Sequence, residues 1–220
     1  MADPETLAKI GRMVSARLRA NPLVQELGDS KTKLFTWPEF LSSGECEQLI
    51  DIIGSRIQPS PLFAERDTTG IRTSSTHFFS QDAPETLALG RKIDDALGIK
   101  RPHAEPIQGQ RYCEGEQYRS HRDYFREERQ HWQRERLRGG QRSWTAMVYL
   151  NAVEAGGATE FSELELSVSP APGTLIAWNN MNRRGRPNAK TRHAALPVEK
   201  GQKYVITQWY RQGEWQRSVR

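Results

Sequence analysis

The sequence predicts an α+β fold, with helices in its first half and an antiparallel β-structure in its second. Three observations carry that prediction. Two segments before Lys100 pair helix-start chemistry with apolar stripes. After Lys100 the chain breaks into short runs of β-branched and aromatic residues, separated by Gly, Pro and Asn turns, as in an antiparallel sandwich or barrel. No internal repeat and no boundary divides the 220 residues, so one domain over 1–220 is expected, with 1–100 mainly helical support and 101–212 the β-core.

The first element, within MADPETLAKIGRMVSARLRA, reads as a surface amphipathic helix over residues 4–20. It lacks the apolar core of roughly 7–15 residues that a signal peptide needs. In WPEFLSSGECEQLIDIIGSRI (37–57), Ser42 with Glu45 three residues later forms a capping box, and Leu49, Ile50, Ile52 and Ile53 supply the stripe. QDAPETLALGRKIDDALGIK repeats the pattern, with Asp82 and Glu85 as a second box, Pro84 in the first turn and Gly98 at the exit. One strand-like piece, IRTSSTHFF at 71–79, falls between these helices. The later strands are AEPIQGQRY, SWTAMVYLN, TEF, LELSV, GTLIAWN, HAALPV and QKYVITQWY. Two polar insertions, 125–142 and 179–192, read mostly as solvated loops at strand ends, where substrate contacts concentrate and where they are placed to close over a site.

Composition narrows the function classes. Hydrophobic residues make up 36% and charged residues 27%, which excludes a disordered chain. There is no run of about 18 apolar residues, so no membrane span or membrane partner is expected. The two cysteines, Cys46 and Cys113, lie far apart, which argues against a disulfide framework or a thiolate zinc site and favours a reducing cytoplasm. The formal net charge of +5 gives a mild bias toward acidic partners.

His121-Arg122-Asp123 offers two metal ligands two positions apart, and read alone it is equally a polar turn. His193 opens a late strand 72 residues further on, far enough for intervening strands to fold the two histidines together. Two histidines and one carboxylate leave one face of an iron open, whereas zinc is more often closed by a fourth protein ligand. Ten residues after His193 comes Lys203. If it points inward it needs an anion, and beside iron that anion suggests a dicarboxylate; on the outward phase of its strand it is plain surface.

These pieces, in order, resemble a known family. The string Tyr112, Gly115, Tyr118, His121, Asp123, Tyr124, Phe125, then GGATEF at 156–161, then His193 with PV, Gly201 and Lys203, and Trp209 six residues on, is similar to the prolyl 4-hydroxylase branch of the Fe(II)/2-oxoglutarate dioxygenases, over roughly residues 37–212. The resemblance implies a double-stranded β-helix, a jelly-roll of cupin type, buttressed by the N-terminal helices. It implies His121, Asp123 and His193 as catalytic iron ligands and Lys203 as the holder of the distal carboxylate of 2-oxoglutarate. Tyr112, Thr159 and Trp209 match residues lining the same pocket; each is otherwise ordinary strand packing. Arg72 and Ser74 match substrate-binding positions, and Arg211 stands where some relatives place a histidine beside the substrate.

The implied activity is hydroxylation of an unactivated carbon, coupled to conversion of 2-oxoglutarate and O2 to succinate and CO2, with ascorbate as a candidate reductant. Proline in a peptide or protein is the expected target, in a groove flanked by Arg72, Arg126 and Arg211. A free amino acid or other small molecule is the enzymatic alternative, and a non-catalytic metal- or peptide-binding β-barrel the alternative of another class. Nucleic acid is disfavoured, because the basic loops lack interleaved aromatics apart from Trp132. Oligomeric state is not predicted.

Overall fold

The computed structural model describes residues 2–55, 57–60 and 71–216. Its helices are α1 (Pro4–Arg19), α2 (Ser43–Ser55), α3 (Pro84–Leu97) and the short α4 (Trp132–Leu137). Asp3 caps α1 by accepting from the N–H groups of Glu5 and Thr6, and Leu7, Val14 and Leu18 form its buried face. The predicted box at α2 is present: the Glu45 carboxylate accepts from Ser42 N at 2.7 Å, and Ser42 Oγ accepts from Glu45 N at 3.3 Å. The predicted box at α3 is not. Pro84 stands in the first turn after Ala83, so Asp82 lies too far out to cap, and the cap makes no side-chain hydrogen bond. The exit is as expected, with Gly98 in the left-handed region at φ 68°.

The strands, in chain order, are β1 (Gln25–Glu26), β2 (Leu34–Trp37), β3 (Gln58–Pro59), β4 (Ser75–Phe78), β5 (Gln108–Tyr112), β6 (Tyr118–His121), β7 (Arg142–Tyr149), β8 (Ala155–Gly156), β9 (Thr159–Phe161), β10 (Leu166–Val168), β11 (Leu175–Asn179), β12 (His193–Ala195), β13 (Val198–Lys200) and β14 (Lys203–Arg211). An eight-stranded sheet runs β1-β2-β11-β7-β14-β5-β4-β3, and a four-stranded sheet runs β10-β9-β12-β6. The strands within them pair antiparallel, for example β11 with β7 and β14 with β5. This is the α+β double-stranded β-helix that the sequence led us to expect.

The large sheet buries both faces, and the period of two assigns each residue to one of them. On β14, Ile206 and Tyr210 join the core beneath the helices, with Trp144, Ala146 and Val148 of β7 and Leu175 and Ala177 of β11. The opposite phase, Lys203, Val205, Thr207 and Trp209, lines a cleft facing the smaller sheet. Each fully buried aliphatic or aromatic side chain in these layers contributes roughly 1.5–3 kcal/mol relative to exposure.

Two expectations need correction. The first hundred residues are less helical than predicted, because Leu34–Trp37 joins the large sheet against β11 and recruits β1. The 125–142 insertion is not a plain solvated loop. It carries α4, and Trp132, Glu135, Gln141 and Phe125 are buried. The side-chain amide of Gln141 clamps its base, accepting from Phe125 N at 2.6 Å and donating to Phe125 O at 2.8 Å. In the 179–192 insertion, Asn180, Asn188 and Thr191 are likewise buried, and Asn188 donates to Thr32 Oγ1 at 3.2 Å. A hydrogen-bonded asparagine costs little to bury, so the polar residues that read as solvated are internal struts.

Candidate active site

His121 ends β6 and His193 begins β12, and the two are direct antiparallel partners, so the sheet itself closes the 72-residue gap between them. Their rings lie 4.2 Å apart between centroids. Nδ1 of His121 is 2.9 Å from the carbonyl of Arg119, and Nδ1 of His193 is 2.9 Å from that of Thr191. A carbonyl only accepts, so each neutral ring carries its proton on Nδ1 and offers the Nε2 lone pair. Both Nε2 atoms face Asp123, at 3.8 Å from Oδ1 and 3.9 Å from Oδ2. The three ligand atoms lie within 4.8 Å of one another, a donor set of two imidazoles and a carboxylate that suits iron.

Burial, reinforced by His193, lowers the His121 pKa to about 3 against the pull of Asp123, so this ring is neutral at physiological pH. Burial works to raise the Asp123 pKa, but His193, His121, Arg142 and the Thr145 hydroxyl together hold it below the ordinary value. Thr145 Oγ1 donates to Asp123 Oδ2 at 2.7 Å, and Asn180 Nδ2 donates in turn to Thr145 at 2.9 Å. This second layer was missed from sequence, where a threonine inside an apolar strand carries no distinguishing signal. Tyr118 stacks on His121 at 3.6 Å between centroids, and Trp178 meets His193 edge-on.

Lys203 points into the same cleft and is 1% exposed. Its ammonium donates to Gly157 O at 2.6 Å and lies 5.2 Å from the Tyr112 ring and 5.3 Å from the Tyr149 ring. No carboxylate is within ion-pair distance of it among the described residues, and burial alone lowers its pKa to about 7. Tyr112 is its cross-strand partner. Thr159, on β9, shares a hydrogen bond of 2.7 Å with the Tyr149 hydroxyl, which also reaches Val168 O at 2.8 Å. Tyr149 also escaped the sequence reading. The cleft has a volume of about 1140 Å³ and is lined by the three candidate ligands, Lys203, Tyr112, Thr159, Trp209 and Arg72.

Not every predicted residue reaches it. Arg211 is 2% exposed and does not line the cleft: its guanidinium pairs with Glu105 and Glu135 and donates to Gly140 O behind the Phe125 ring. Held there and buried away from the cleft, Arg211 does not reach the place where a substrate contact was expected. Ser74 is buried one layer back, accepting from Arg72 Nε at 3.3 Å, and so touches Arg72 and not the cleft. The cross-strand partner of Arg211, Arg142, does reach the cleft. Paired with Glu105 at 2.6 Å, it lies 4.1 Å from the Trp209 ring and lines the cleft.

Comparison with known proteins agrees with this geometry. Residues 107–211 match the model of the 2OG-Fe(II) oxygenase superfamily. Prolyl 4-hydroxylase subunit alpha-1 of Homo sapiens is 32% identical over 193 residues, covering 86% of this chain and 36% of that protein. The chain thus spans little more than a third of the length of that relative. Prolyl 4-hydroxylase 2 of Arabidopsis thaliana is 28% identical over 215 residues, covering 86% of this chain and 70% of its own. Among solved structures, the viral collagen prolyl hydroxylase of Paramecium Bursaria Chlorella virus-1, in its 2OG complex, superposes with a TM-score of 0.63 at 27% identity, covering 81% of this chain and 94% of that one. A Trichoplax adhaerens prolyl hydroxylase, in complex with a hypoxia inducible factor peptide fragment, has a TM-score of 0.61 at 17% identity, covering 94% of this chain and 91% of that one, a likeness of fold.

Proposed function

The chain belongs to the 2OG-Fe(II) oxygenase superfamily, and from that premise we propose that it is an Fe(II)- and 2-oxoglutarate-dependent dioxygenase that hydroxylates proline within a peptide or protein. The observation that carries this reading is the buried Lys203 ammonium, without a carboxylate partner among the described residues, facing the same cleft as the His121–Asp123–His193 cluster. A buried cation is costly until an anion meets it. A dicarboxylate bound at iron by one end and at Lys203 by the other answers both demands.

In this reading the Nε2 atoms of His121 and His193 and the Asp123 carboxylate hold the iron. Thr145 fixes the carboxylate and the two backbone carbonyls fix the rings. Iron and 2-oxoglutarate, once bound, supply the oxidising chemistry that inserts oxygen from O2 and releases succinate and CO2. Tyr112, Thr159 and Tyr149 shape a largely apolar end around Lys203 and exclude water there. Trp209 and Arg142 wall the cleft beyond the iron position, and Arg72, over the Tyr118 ring at 5.0 Å, stands at its entrance to contact substrate. A cleft of this size suits an extended chain better than a free amino acid. No helix among the described residues is long and apolar enough to cross a membrane. The two free cysteines suit our placement of the enzyme in the cytoplasm.

The test is succinate formation by the Fe(II)-loaded protein with 2-oxoglutarate, O2 and ascorbate, using a proline-rich peptide, free proline or no substrate. Peptide-stimulated succinate with a 16 Da gain on the peptide is expected, abolished in His121→Ala and weakened in Lys203→Ala. Stimulation by free proline alone moves the assignment to a small-molecule enzyme. No succinate from protein shown to hold iron overturns the dioxygenase reading.

A further inference from the structure

The rim of the cleft is strongly basic, and its charge is uncompensated. Arg122, Arg126, Arg129 and Arg192 all line it. Some cations elsewhere are matched: Arg19, Lys33, Lys92, Arg101 and Lys190 each have a carboxylate within 2.8 Å. Among the described residues, the four rim arginines have no carboxylate within ion-pair distance, and their side chains make no hydrogen bond. Glu128 and Asp123 are the acids on this wall, and Asp123 belongs to the metal cluster.

Two of the four arginines are more than solvated surface charge. The Nε–H groups of Arg122 and Arg192 are shut off from water without a hydrogen-bond partner. A desolvated donor left unpaired is costly, and one on the wall of a ligand cleft is relieved when an acceptor arrives. These two residues flank the candidate ligands in sequence, Arg122 between His121 and Asp123 and Arg192 just before His193. Both unmet donors belong to residues that line the same cleft as the metal cluster. Arg126 and Arg129, both exposed, extend the positive charge outward along the 125–142 insertion.

We propose that the peptide this cleft takes is acidic, with Asp or Glu side chains on both sides of the residue that is hydroxylated, met by Arg122 and Arg192 near the iron and by Arg126 and Arg129 further out. The inference rests on the peptide-hydroxylase reading and specifies its substrate class. Phe78, exposed and lining the same cleft, adds apolar contact suited to a chain of mixed acidic and apolar side chains. A single-stranded nucleic acid would want successive aromatic platforms. Trp132, the aromatic of the basic insertion, is buried and unavailable for stacking.

The test reads binding apart from turnover. The full chain is loaded anaerobically with Fe(II) and 2-oxoglutarate, and fluorescence anisotropy is recorded with labelled twelve-residue peptides sharing a central proline. Their flanks are Asp/Glu, Asn/Gln or Lys, and an oligo-dT strand serves as a further probe. The acidic peptide is expected to bind about tenfold tighter than the neutral one at low salt, with the difference shrinking at high salt. Arg126→Glu with Arg129→Glu, both on exposed side chains, should reverse the preference toward the Lys-flanked peptide, and Arg192→Gln should weaken it.

Equal affinity for acidic and neutral peptides overturns the proposal, as does tighter binding of the oligonucleotide lost in the same variants. Oxygen is then admitted and peptide mass measured. Acidic peptide that binds selectively without gaining 16 Da supports the charge assignment and sinks prolyl hydroxylation. Neutral peptide bound and hydroxylated as well as acidic does the reverse.

Discussion

Lys203→Met replaces a buried cation by an apolar chain of similar length, and the structure predicts that it stabilises the substrate-free protein while disabling it. In the fold the Lys203 pKa is lowered to about 7 by burial, from an ordinary value of 10.5. At pH 7 the folded protein then holds about half a proton at this site and the unfolded chain nearly a whole one. By linkage that difference costs the fold on the order of 4 kcal/mol. The hydrogen bond to Gly157 O, worth about 1–2 kcal/mol, is lost in the variant and offsets part of the gain. The net expectation is a stabilisation of about 2–3 kcal/mol, a rise in Tm of roughly 5–10 °C for a chain of this size.

The pH dependence identifies the cause. Below pH 7 the lysine is charged in both states and the advantage of methionine is greatest. Between pH 7 and 10.5 the unfolded state binds more protons, so wild-type stability rises and the advantage shrinks. Above 10.5 only the lost hydrogen bond remains. Urea unfolding of both proteins at pH 6, 7, 8.5 and 10.5, without dicarboxylate, measures this directly. Adding 2-oxoglutarate should raise the wild-type midpoint and leave that of the variant unmoved, with affinity lower by roughly a hundredfold. A variant less stable than wild type at pH 6, or a difference flat from pH 7 to 10.5, would falsify the view of Lys203 as a buried charge awaiting an anion.

Three further perturbations probe other parts of the site. The same lysine makes 2-oxoglutarate binding pH-dependent: affinity should fall by up to tenfold per unit as pH rises above about 7, because the free protein must first take up a proton, and calorimetry in two buffers should detect that uptake. Glu105→Ala strips the shared carboxylate from the buried Arg142 and Arg211 and should destabilise the fold by about 3–5 kcal/mol, lowering Tm by roughly 10 °C; a loss under about 1 kcal/mol would show the pair to be dispensable. Thr145→Val removes the hydrogen bond that orients Asp123 and should weaken Fe(II) or Mn(II) binding about tenfold without unfolding the protein, whereas unchanged metal affinity would count against its positioning role.

Much of the architecture is local and was legible. The capping box at Ser42, Pro84 and Gly98 around α3, and the short β-branched runs after Lys100 are decided by neighbours within a few residues, and the structure repeats them. Leu34–Trp37 escaped notice because four residues carry too little periodicity, and its stability comes from pairing with β11 more than 130 residues away. The spacing of the HxD motif, His193 and Lys203 was in the sequence as candidates, and their order suggested a family.

Their convergence was not in the sequence. Both faces of β14 are buried, so Tyr204-Val205-Ile206-Thr207-Gln208-Trp209 alternates no clear polarity, and the inward phase of Lys203 could not be read. The β12–β6 register sets His193 against His121, while Thr145 reaches Asp123 from β7 and Asn180, just past β11, backs Thr145. Arg211, a substrate contact by sequence, is drawn away by Glu105 and Glu135, respectively 106 and 76 residues distant. The sequence by itself determined most of the secondary elements and the chemical types available, because those depend on short-range sterics and hydrogen bonding. Only the tertiary structure decided which groups are desolvated, paired or left without a partner, because burial and charge neutralisation are set by residues remote in the chain.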